Sequence, residues 1–271
     1  MTTTIDTAVT IRPELAEGTV LGAANDALAV ARRNIIAYRR IPQLLVFSTI
    51  QPVIFVLMFR YVFGGAIHVT GLPYVDYLMP GIFVQTVVFG STAAAIGMAG
   101  DLQTGLLERF RSLPMARSAV LAGRTFADLA RNIFVGILMA IVGFAVGFRI
   151  HTNVLAFLAG MLLVLLFGYV FAWVFATVGL LVGEPEAAQA ASFPVMAPLV
   201  FASSAFVPVR SMPGWLQAFA SHQPVSVTAD AVRALWVGGP TSWALLQSVG
   251  WCVLILAVAV PLAVRRYRRA V

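Results

Sequence analysis

The chain of 271 residues is 60% hydrophobic and only 11% charged, well below the charged share of a soluble domain. Its mean hydropathy of +0.91 excludes a disordered chain, a collagen, a coiled coil and an ordinary cytosolic enzyme. All 18 basic side chains are arginine, and the net charge of +7 fits loops beside anionic lipid better than nucleic-acid binding. Because the apolar residues form long uncharged runs, we predict an all-α polytopic membrane protein.

Residues 1–40 are predicted to form a cytoplasmic N-terminal tail and an interfacial helix. Apolar residues recur at helical spacing in the second half of this segment, at Leu28, Ala31, Ile35 and Tyr38. Arginines occupy the other sides of that helix and would lie at the lipid phosphates. A solvated helix leading into the first span is the alternative.

Residues 41–271 are predicted to form a single domain of six transmembrane helices. The six apolar segments are 44–63, 77–100, 132–148, 154–182, 187–207 and 242–264. The fourth segment is long enough to exceed a hydrocarbon core of about 30 Å. The fifth segment is interrupted by Pro194 and Pro198.

Arginines are concentrated on one side of these spans. They lie before the first span, between the second and third spans and after the sixth, at Arg32, Arg33, Arg39, Arg40, Arg109, Arg111, Arg117, Arg124, Arg131, Arg265, Arg266, Arg268 and Arg269. By the positive-inside rule, both termini are expected in the cytoplasm. The sequence therefore predicts a multi-pass protein of the plasma (inner) membrane.

The loop after the second span carries a short amphipathic pattern over residues 101–113. Apolar side chains recur there at helical spacing, at Leu102, Leu106, Leu107 and Phe110. Pro114 would end the helix. A helix that shows both leucines and charges favours docking to another protein, whereas a charged loop that merely satisfies the positive-inside rule is the alternative.

The linker between the fifth and sixth spans is too apolar for a free loop. Pro213 and Pro224 stand where helices can begin, and Trp215 and Phe219 belong to an apolar face. We predict two short helices that re-enter the membrane from the extracellular side as a hairpin packed against protein. Trp215 and Trp236 are expected at interfacial depth.

These two stretches resemble the type 2 ABC export permeases, in particular the daunorubicin-resistance and lipid-export branch of actinobacteria. The resemblance extends over nearly the whole chain and is carried by a Gly-x-x-Glu-Arg…Pro pattern and by a longer pattern around Met-Pro-x-Trp-Leu-Gln. The matching residues are Gly105, Glu108, Arg109, Pro114, Ser203, Phe206, Pro208, Met212, Pro213, Trp215, Leu216, Gln217, Pro224, Ala231, Arg233 and Leu235. Many relatives have Asn-Pro where this chain has Gln223-Pro224.

The resemblance implies the membrane subunit of an ATP-driven exporter that moves a hydrophobic or amphipathic substrate, a lipid or a drug-like natural product, outward. It implies a coupling helix that rests on a separate ABC ATPase subunit, with Leu102, Gly105, Leu106, Leu107, Glu108, Arg109, Phe110 and Pro114 as coupling residues. The outer hairpin would cap the substrate path, through Pro213, Trp215, Phe219, Pro224 and Arg233. The expected partners also include membrane lipid and a second permease copy, identical or related, because six spans must pair to enclose a path.

The absence of lysine excludes a phosphate-binding loop, a kinase-type lysine and a Schiff-base lysine within this chain. We therefore expect no enzyme activity, no catalytic residue and no cofactor in the chain itself. ATP and magnesium would be bound by the partner ATPase. No metal site is predicted, because His68, His151 and His222 have no cysteine or carboxylate at ligand spacing.

Gln51 is a polar residue at membrane depth and should face a cavity or a neighbouring helix. Together with Phe55, Phe83, Gln85 and Ser203 it is a candidate lining for a substrate path. Helix packing alone explains these residues about as well.

Two other functions compete with the exporter subunit. A secondary drug or lipid transporter that works without an ATPase would normally show an intramembrane carboxylate or a repeated six-span unit. An intramembrane enzyme would need a polar catalytic cluster within the spans. The middles of the predicted spans contain no aspartate or glutamate, which favours the exporter subunit.

Overall fold

The computed structural model describes residues 42–67, 69, 71–105 and 117–270, and every regular element within them is helical. The all-α class predicted from composition is therefore confirmed. The interfacial helix predicted within residues 1–40 lies outside the described residues.

The α-helices of the described ranges are numbered in chain order. They are α1 (Pro42–Leu57), α2 (Tyr74–Gln103), α3 (Arg117–Ala145), α4 (Val154–Val182), α5 (Pro185–Phe201), α6 (Gly214–Ala220), α7 (Pro224–Val237) and α8 (Ser242–Ala270). A π-helical stretch, Met58–Phe63, extends α1, and a 3-10 turn, Val209–Ser211, precedes α6. Helix α4 is capped at both ends: the Asn153 side chain accepts a hydrogen bond from the Ala156 N–H at its start, and Gly183 ends it in the left-handed conformation.

Four helices of the described ranges are long and apolar enough to cross a membrane. They are α2, the Asp128–Ala145 part of α3, α4 and the Ser242–Tyr267 part of α8. These correspond to the second, third, fourth and sixth predicted spans. The first predicted span corresponds to α1 with its π-helical extension, and the fifth to α5, which has 17 residues. A polytopic membrane protein is confirmed, and the count of six spans stays a prediction.

Two predicted boundaries were wrong. Helix α3 begins at Arg117 and not near residue 132, so that Arg117, Arg124 and Arg131 lie on a helix rather than in a loop. Hydropathy marks only the apolar part of a helix, whereas the helix itself continues through charged turns. Helix α5 ends at Phe201 instead of continuing to residue 207, because the turn that follows packs against α2 and α7.

Helix α2 is the most enclosed of the long helices, and its neighbours are α1, α3, α4, α5 and α7. Its closest approach to α4 is made possible by glycine. A Cβ at Gly179 would lie 2.2 Å from the Ala95 carbonyl oxygen, and one at Gly168 would lie 2.8 Å from the Val87 side chain. Small residues at such a crossing bring two backbones into van der Waals contact, which stabilises helix pairs in lipid.

Helix α7 packs inside the helix bundle, against α2, α4 and α8. Its Trp236 is fully buried, donates its indole N–H to the Phe157 carbonyl at 3.1 Å, and occupies space that a side chain at Gly160 would fill. Trp236 is therefore enclosed by protein and does not face lipid, and its interfacial depth stays a prediction. The amphipathic pattern of α7 does not reveal the space at Gly160 of α4 that the indole of Trp236 occupies. The other tryptophan of the predicted hairpin, Trp215 on α6, is 77% exposed.

Arg233 of α7 fastens this helix to the first turns of α2. Its guanidinium lies 3.8 Å from the ring centroid of Tyr77, and its Nε donates to the Tyr77 carbonyl at 3.1 Å. Its two other nitrogens donate to the Ser204 carbonyl, at 3.0 Å, and to the Asp230 carboxylate. Asp230 and Arg233 are three residues apart on α7, a spacing at which helical side chains lie on the same face.

The turn after α5 lies directly on α2 at Gly81. A Cβ at this position would lie 2.0 Å from the Ala205 carbonyl oxygen, a distance no packing tolerates. On the same part of α2, the Tyr74 and Tyr77 hydroxyls each donate to a carbonyl of this turn at 2.9 Å. The glycine and the two tyrosines together fix the turn against the helix.

Gly81→Ala should destabilise the fold, because the added methyl group meets backbone rather than a movable side chain. We expect a loss of about 1–3 kcal/mol or more, seen as a lower melting temperature in thermal size-exclusion measurements of the detergent-purified protein. Gly250→Ala is the matched control, since Gly250 also lies within a helix and has open space around it. Equal melting temperatures for the two variants would contradict the close contact.

Candidate functional site

A cavity of about 430 Å³ opens between α1, α2, α3 and α5. It extends along α2 from the middle of the helix towards its Gln103 end, so it lies within the membrane-spanning part of the protein. Its walls combine polar and apolar side chains: Gln51, Pro52, Gln85, Thr86, Phe89, Gly90, Thr92, Ala93, Ile96, Arg131, Asn132, Val135 and Gln189. A cavity of this size and mixed character is typical of a binding site for a small molecule.

The polar side of the cavity is formed by Gln85 of α2 and by Arg131 and Asn132 of α3. All three are buried: the exposed fractions are 2% for Gln85, 8% for Arg131 and 4% for Asn132. Gln85 Oε1 and Asn132 Nδ2 have no hydrogen-bond partner within the described part of the chain. Polar groups at membrane depth are costly, which makes this cluster the strongest candidate for function.

Within the described residues, Arg131 is anchored through Nη2 alone. Its Nη2 donates to the Gly90 carbonyl at 2.5 Å and lies 3.4 Å from Asn132 Oδ1 and 4.0 Å from the carboxylate of Asp128. A Cβ at Gly90 would lie 3.1 Å from Nη2, so the glycine leaves the space that the guanidinium occupies. Arg131 and Asp128 are both buried, so they do not form a surface pair, although their i, i+3 spacing on α3 is typical of one.

The residues predicted to line a path are only partly brought together. Gln51 and Gln85 both line the cavity. Phe55 lies beside it, in an aromatic cluster with Phe59, Phe89, Phe201 and Phe206 whose ring centroids are 4.4 to 6.4 Å apart.

Two of the predicted path residues lie elsewhere in the bundle. Phe83 is buried edge-on against Trp236, with ring centroids 4.9 Å apart. Ser203 is fully buried and donates its hydroxyl to the Val200 carbonyl. Phe83 packs α2 against α7, Ser203 bonds to the last turn of α5, and neither lines the cavity.

Sequence reasoning missed Arg131, Asn132 and Gln189 as cavity residues. Arg131 belongs to a cluster that the positive-inside rule already explains, so nothing marked it as buried. The available signal was the Arg131-Asn132 pair at the start of an apolar stretch, where two adjacent polar side chains enter the membrane together.

The residues predicted for coupling are divided between described and undescribed parts of the chain. Leu102 lies on the last turn of α2 and packs against the core, and Gly105 follows with a φ of 65°, in the left-handed region. The helix predicted over 101–113 is therefore interrupted at Gly105. The remaining coupling residues lie outside the described ranges, at Leu106, Leu107, Glu108, Arg109, Phe110 and Pro114.

The residues predicted for the outer hairpin occupy α6 and α7. Pro213 immediately precedes α6 and Pro224 is the first residue of α7, as predicted. Trp215 and Phe219 are exposed on α6, while Arg233 is held against α2. A second cavity, of about 650 Å³, lies where this hairpin meets α2 and is lined by Tyr77, Ser204, Pro208, Arg210 and Asp230 among others.

One histidine has a carboxylate partner that its spacing in the sequence did not reveal. His151 Nε2 lies 2.8 Å from the buried carboxylate of Asp76, which also accepts the Arg149 backbone N–H at 2.9 Å. The His151 backbone N–H donates to the Trp236 carbonyl at 2.9 Å. This cluster ties the turn between α3 and α4 to α2 and α7, and no group of three metal-ligating side chains occurs within the described ranges.

Several known proteins are similar in sequence to this chain over most of its length. Residues 26–236 match the ABC-2 type transporter family. The daunorubicin resistance ABC transporter permease protein DrrB1 of Streptomyces coeruleorubidus is 35% identical over 240 residues, which are 87% of this chain and 83% of that protein. The probable doxorubicin resistance ABC transporter permease protein DrrC of Mycobacterium tuberculosis is 28% identical over 225 residues, which are 82% and 81% of the two chains.

A more distant relative is the putative transport permease ycf38 of Cyanophora paradoxa, which is 24% identical over 228 residues, or 83% of this chain and 78% of that protein. The family match covers most of the chain, and the first relative exceeds 30% identity over most of both chains. The resemblance predicted from the motifs is thus confirmed. The chain belongs to the ABC-2 type transporter family.

Proposed function

We propose that this chain is the membrane subunit of an ATP-driven exporter and moves a hydrophobic or amphipathic substrate, a lipid or a drug-like natural product, outward. The observation that carries the proposal is the cavity between α1, α2, α3 and α5, which combines buried polar groups with apolar walls at membrane depth. The names of the relatives, as resistance permeases for daunorubicin and doxorubicin, support a substrate with a large apolar part.

A second permease copy would complete the path. Helix α1 borders the cavity through Gln51, and its exposed apolar side chains include Ile50, Ile54 and Leu57. A helix face this apolar is covered either by lipid or by another protein. We propose that a second copy, identical or related, covers the open side of the cavity and encloses the substrate.

A separate ABC ATPase subunit would supply the energy. The chain has no lysine with which to complete a phosphate-binding loop, so ATP and magnesium would be bound by that partner. Helix α2 borders the cavity and ends at Gln103, within the stretch of predicted coupling residues that begins at Leu102. Movement of the coupling loop would therefore reach the cavity along one helix.

Proton coupling by a secondary transporter finds less support. The buried carboxylates of the candidate spans are Asp76, on the first turn of α2, and Asp128, where the apolar part of α3 begins. A carboxylate that relays protons lies further inside a span. The exporter subunit is therefore the proposal that fits the positions of the charges.

The purified chain alone should not hydrolyse ATP. We expect turnover only when an ABC ATPase is expressed with it, and stable co-purification of the two, measured by phosphate release and by mass spectrometry of the intact complex. If a preparation of the chain that is free of other ATPases still hydrolyses ATP, the proposal that a separate subunit binds and hydrolyses ATP is contradicted.

Leu107→Arg should weaken binding of the ATPase and abolish export. Burial of one leucine at a contact is worth roughly 1.5–3 kcal/mol, and an unpaired buried charge costs more. Glu108→Ala should have a smaller effect of the same sign, and Arg117→Ala, at the start of α3, is the control. The measurements are ATPase pull-down and transport at equal expression, and unchanged docking by Leu107→Arg would show that this loop is not the coupling element.

Both termini should be cytoplasmic. Cys252 is the only cysteine and is buried, so a Cys252→Ala background allows single-cysteine labelling with impermeant maleimide. We expect a cysteine at Ser211 to react from outside intact cells and a cysteine at Ser118 to react only after permeabilisation, because the arginine clusters lie on the latter side. The reverse labelling pattern would invert the topology.

A further inference from the structure

The polar side of the cavity offers more hydrogen-bond donors than acceptors. In the described part of the chain, Arg131 makes its hydrogen bonds through Nη2 alone, which leaves Nε and Nη1 without a partner. Asn132 adds a buried Nδ2 that is also unpartnered. Arg131 and Asn132 line the same cavity from adjacent positions of α3. A ligand rich in acceptor atoms would satisfy these donors.

The charge of Arg131 is only partly balanced within the protein. The nearest carboxylate oxygen, on Asp128, lies 4.0 Å from Nη2, which is too long for a hydrogen bond, and Asp128 does not line the cavity. Among the cavity-lining residues, Arg131 is the one that carries a charge. An anionic group in the cavity would therefore form a closer ion pair with Arg131 than Asp128 does.

The packing around Arg131 and Asn132 is arranged to hold them in place. Glycine occupies both helix positions that face them: a Cβ at Gly90 would lie 3.2 Å from Asn132 Oδ1, and one at Gly168 would lie 3.0 Å from Asn132 Nδ2. The Gly90 carbonyl accepts from Arg131. Fixed donors of this kind bind a ligand with little loss of side-chain entropy.

We propose that this cavity binds the phosphate or carboxylate headgroup of an amphipathic molecule, with Arg131 and Asn132 as donors and Gln85 as a further polar contact. The proposal rests on the exporter function and names the chemical class of its substrate. The apolar part of the ligand would lie along Phe89, Ile96 and Val135, which line the same space.

Gln85 provides a variant in which a binding role and a structural role have opposite consequences. Its Oε1 is buried without a partner in the described chain, which destabilises the empty protein. Gln85→Met removes the unpartnered acceptor Oε1 together with the two amide N–H donors at similar volume. The melting temperature should therefore stay equal or rise, while headgroup binding weakens because the donors are lost. A residue that merely packs helices would show a lower melting temperature and unchanged binding.

The test uses the full-length chain in dodecyl maltoside, with its five tryptophans as energy donors to a pyrene-labelled lipid. The probes are pyrene-phosphatidylglycerol, which is anionic, and pyrene-phosphatidylcholine with the same acyl chains. The variants are Arg131→Gln and Gln85→Met. The matched controls are Arg210→Gln, an exposed arginine near α6, and Gln103→Met, an exposed glutamine at the end of α2.

We expect wild-type protein to prefer the anionic lipid about tenfold or more, and Arg131→Gln to lose that preference, since charge-assisted hydrogen bonds are the strong ones. Both controls should keep it. Inorganic phosphate is then added as a competitor. Displacement of the lipid at micromolar phosphate would overturn the assignment to an amphipathic molecule, whereas an effect no larger than that of equal ionic strength supports it.

Equal affinity for the two lipids in wild-type protein, or a preference that survives Arg131→Gln, would overturn the proposal. If Arg131→Gln does not fold, the melting temperature and the headgroup binding of Gln85→Met decide the question alone. Co-purification with an ABC ATPase is measured on the same preparations. A complex without anionic preference contradicts only this inference, whereas anionic preference without any ATPase partner contradicts the proposed exporter function and leaves the site intact.

Discussion

The close contact of α2 with its neighbours is the constraint on which the other features depend. In lipid, helices gain little from burying apolar surface, so association relies on backbones that approach closely and on polar contacts between them. Gly179 meets the Ala95 backbone, Gly81 meets the Ala205 backbone, and Ser91 donates to the Gly168 carbonyl at 3.0 Å. Because α2 is held on several sides, it can support both the buried cavity and the outer hairpin.

Much of the fold could be predicted from the sequence, because long uncharged segments in a membrane must be helical. The helix starts at Pro213 and Pro224 were predicted because proline is favoured at the first turn of a helix. The extent of α3 and the burial of Trp236 were not, since they depend on gaps that other helices leave. Gln51 and Gln85 of the cavity were found by their polarity at membrane depth, while Arg131 was hidden by an arginine pattern with a simpler explanation.

Helix α2 connects the two ends of the molecule mechanically. Near one end it is bound to the outer hairpin through Tyr77 and Arg233, and at the other it ends at Gln103, beside the predicted coupling residues. Between them it borders the cavity through Gln85 and Phe89. A tilt or shift of α2 would therefore change the cavity and the outer hairpin together.

The buried Arg131 and the partly buried Arg233 show how structural and functional polar groups differ inside a membrane protein. Arg233 has all three guanidinium nitrogens hydrogen-bonded, lies over an aromatic ring and pairs with Asp230, so its charge is fully used by the fold. In the part of the chain that the structure describes, Arg131 has one nitrogen bonded, a carboxylate oxygen of Asp128 at 4.0 Å and an adjoining cavity. A fold that needed only stability would replace such a group by an apolar residue of similar volume. The unused donors of Arg131 are therefore best explained by a ligand that binds to them.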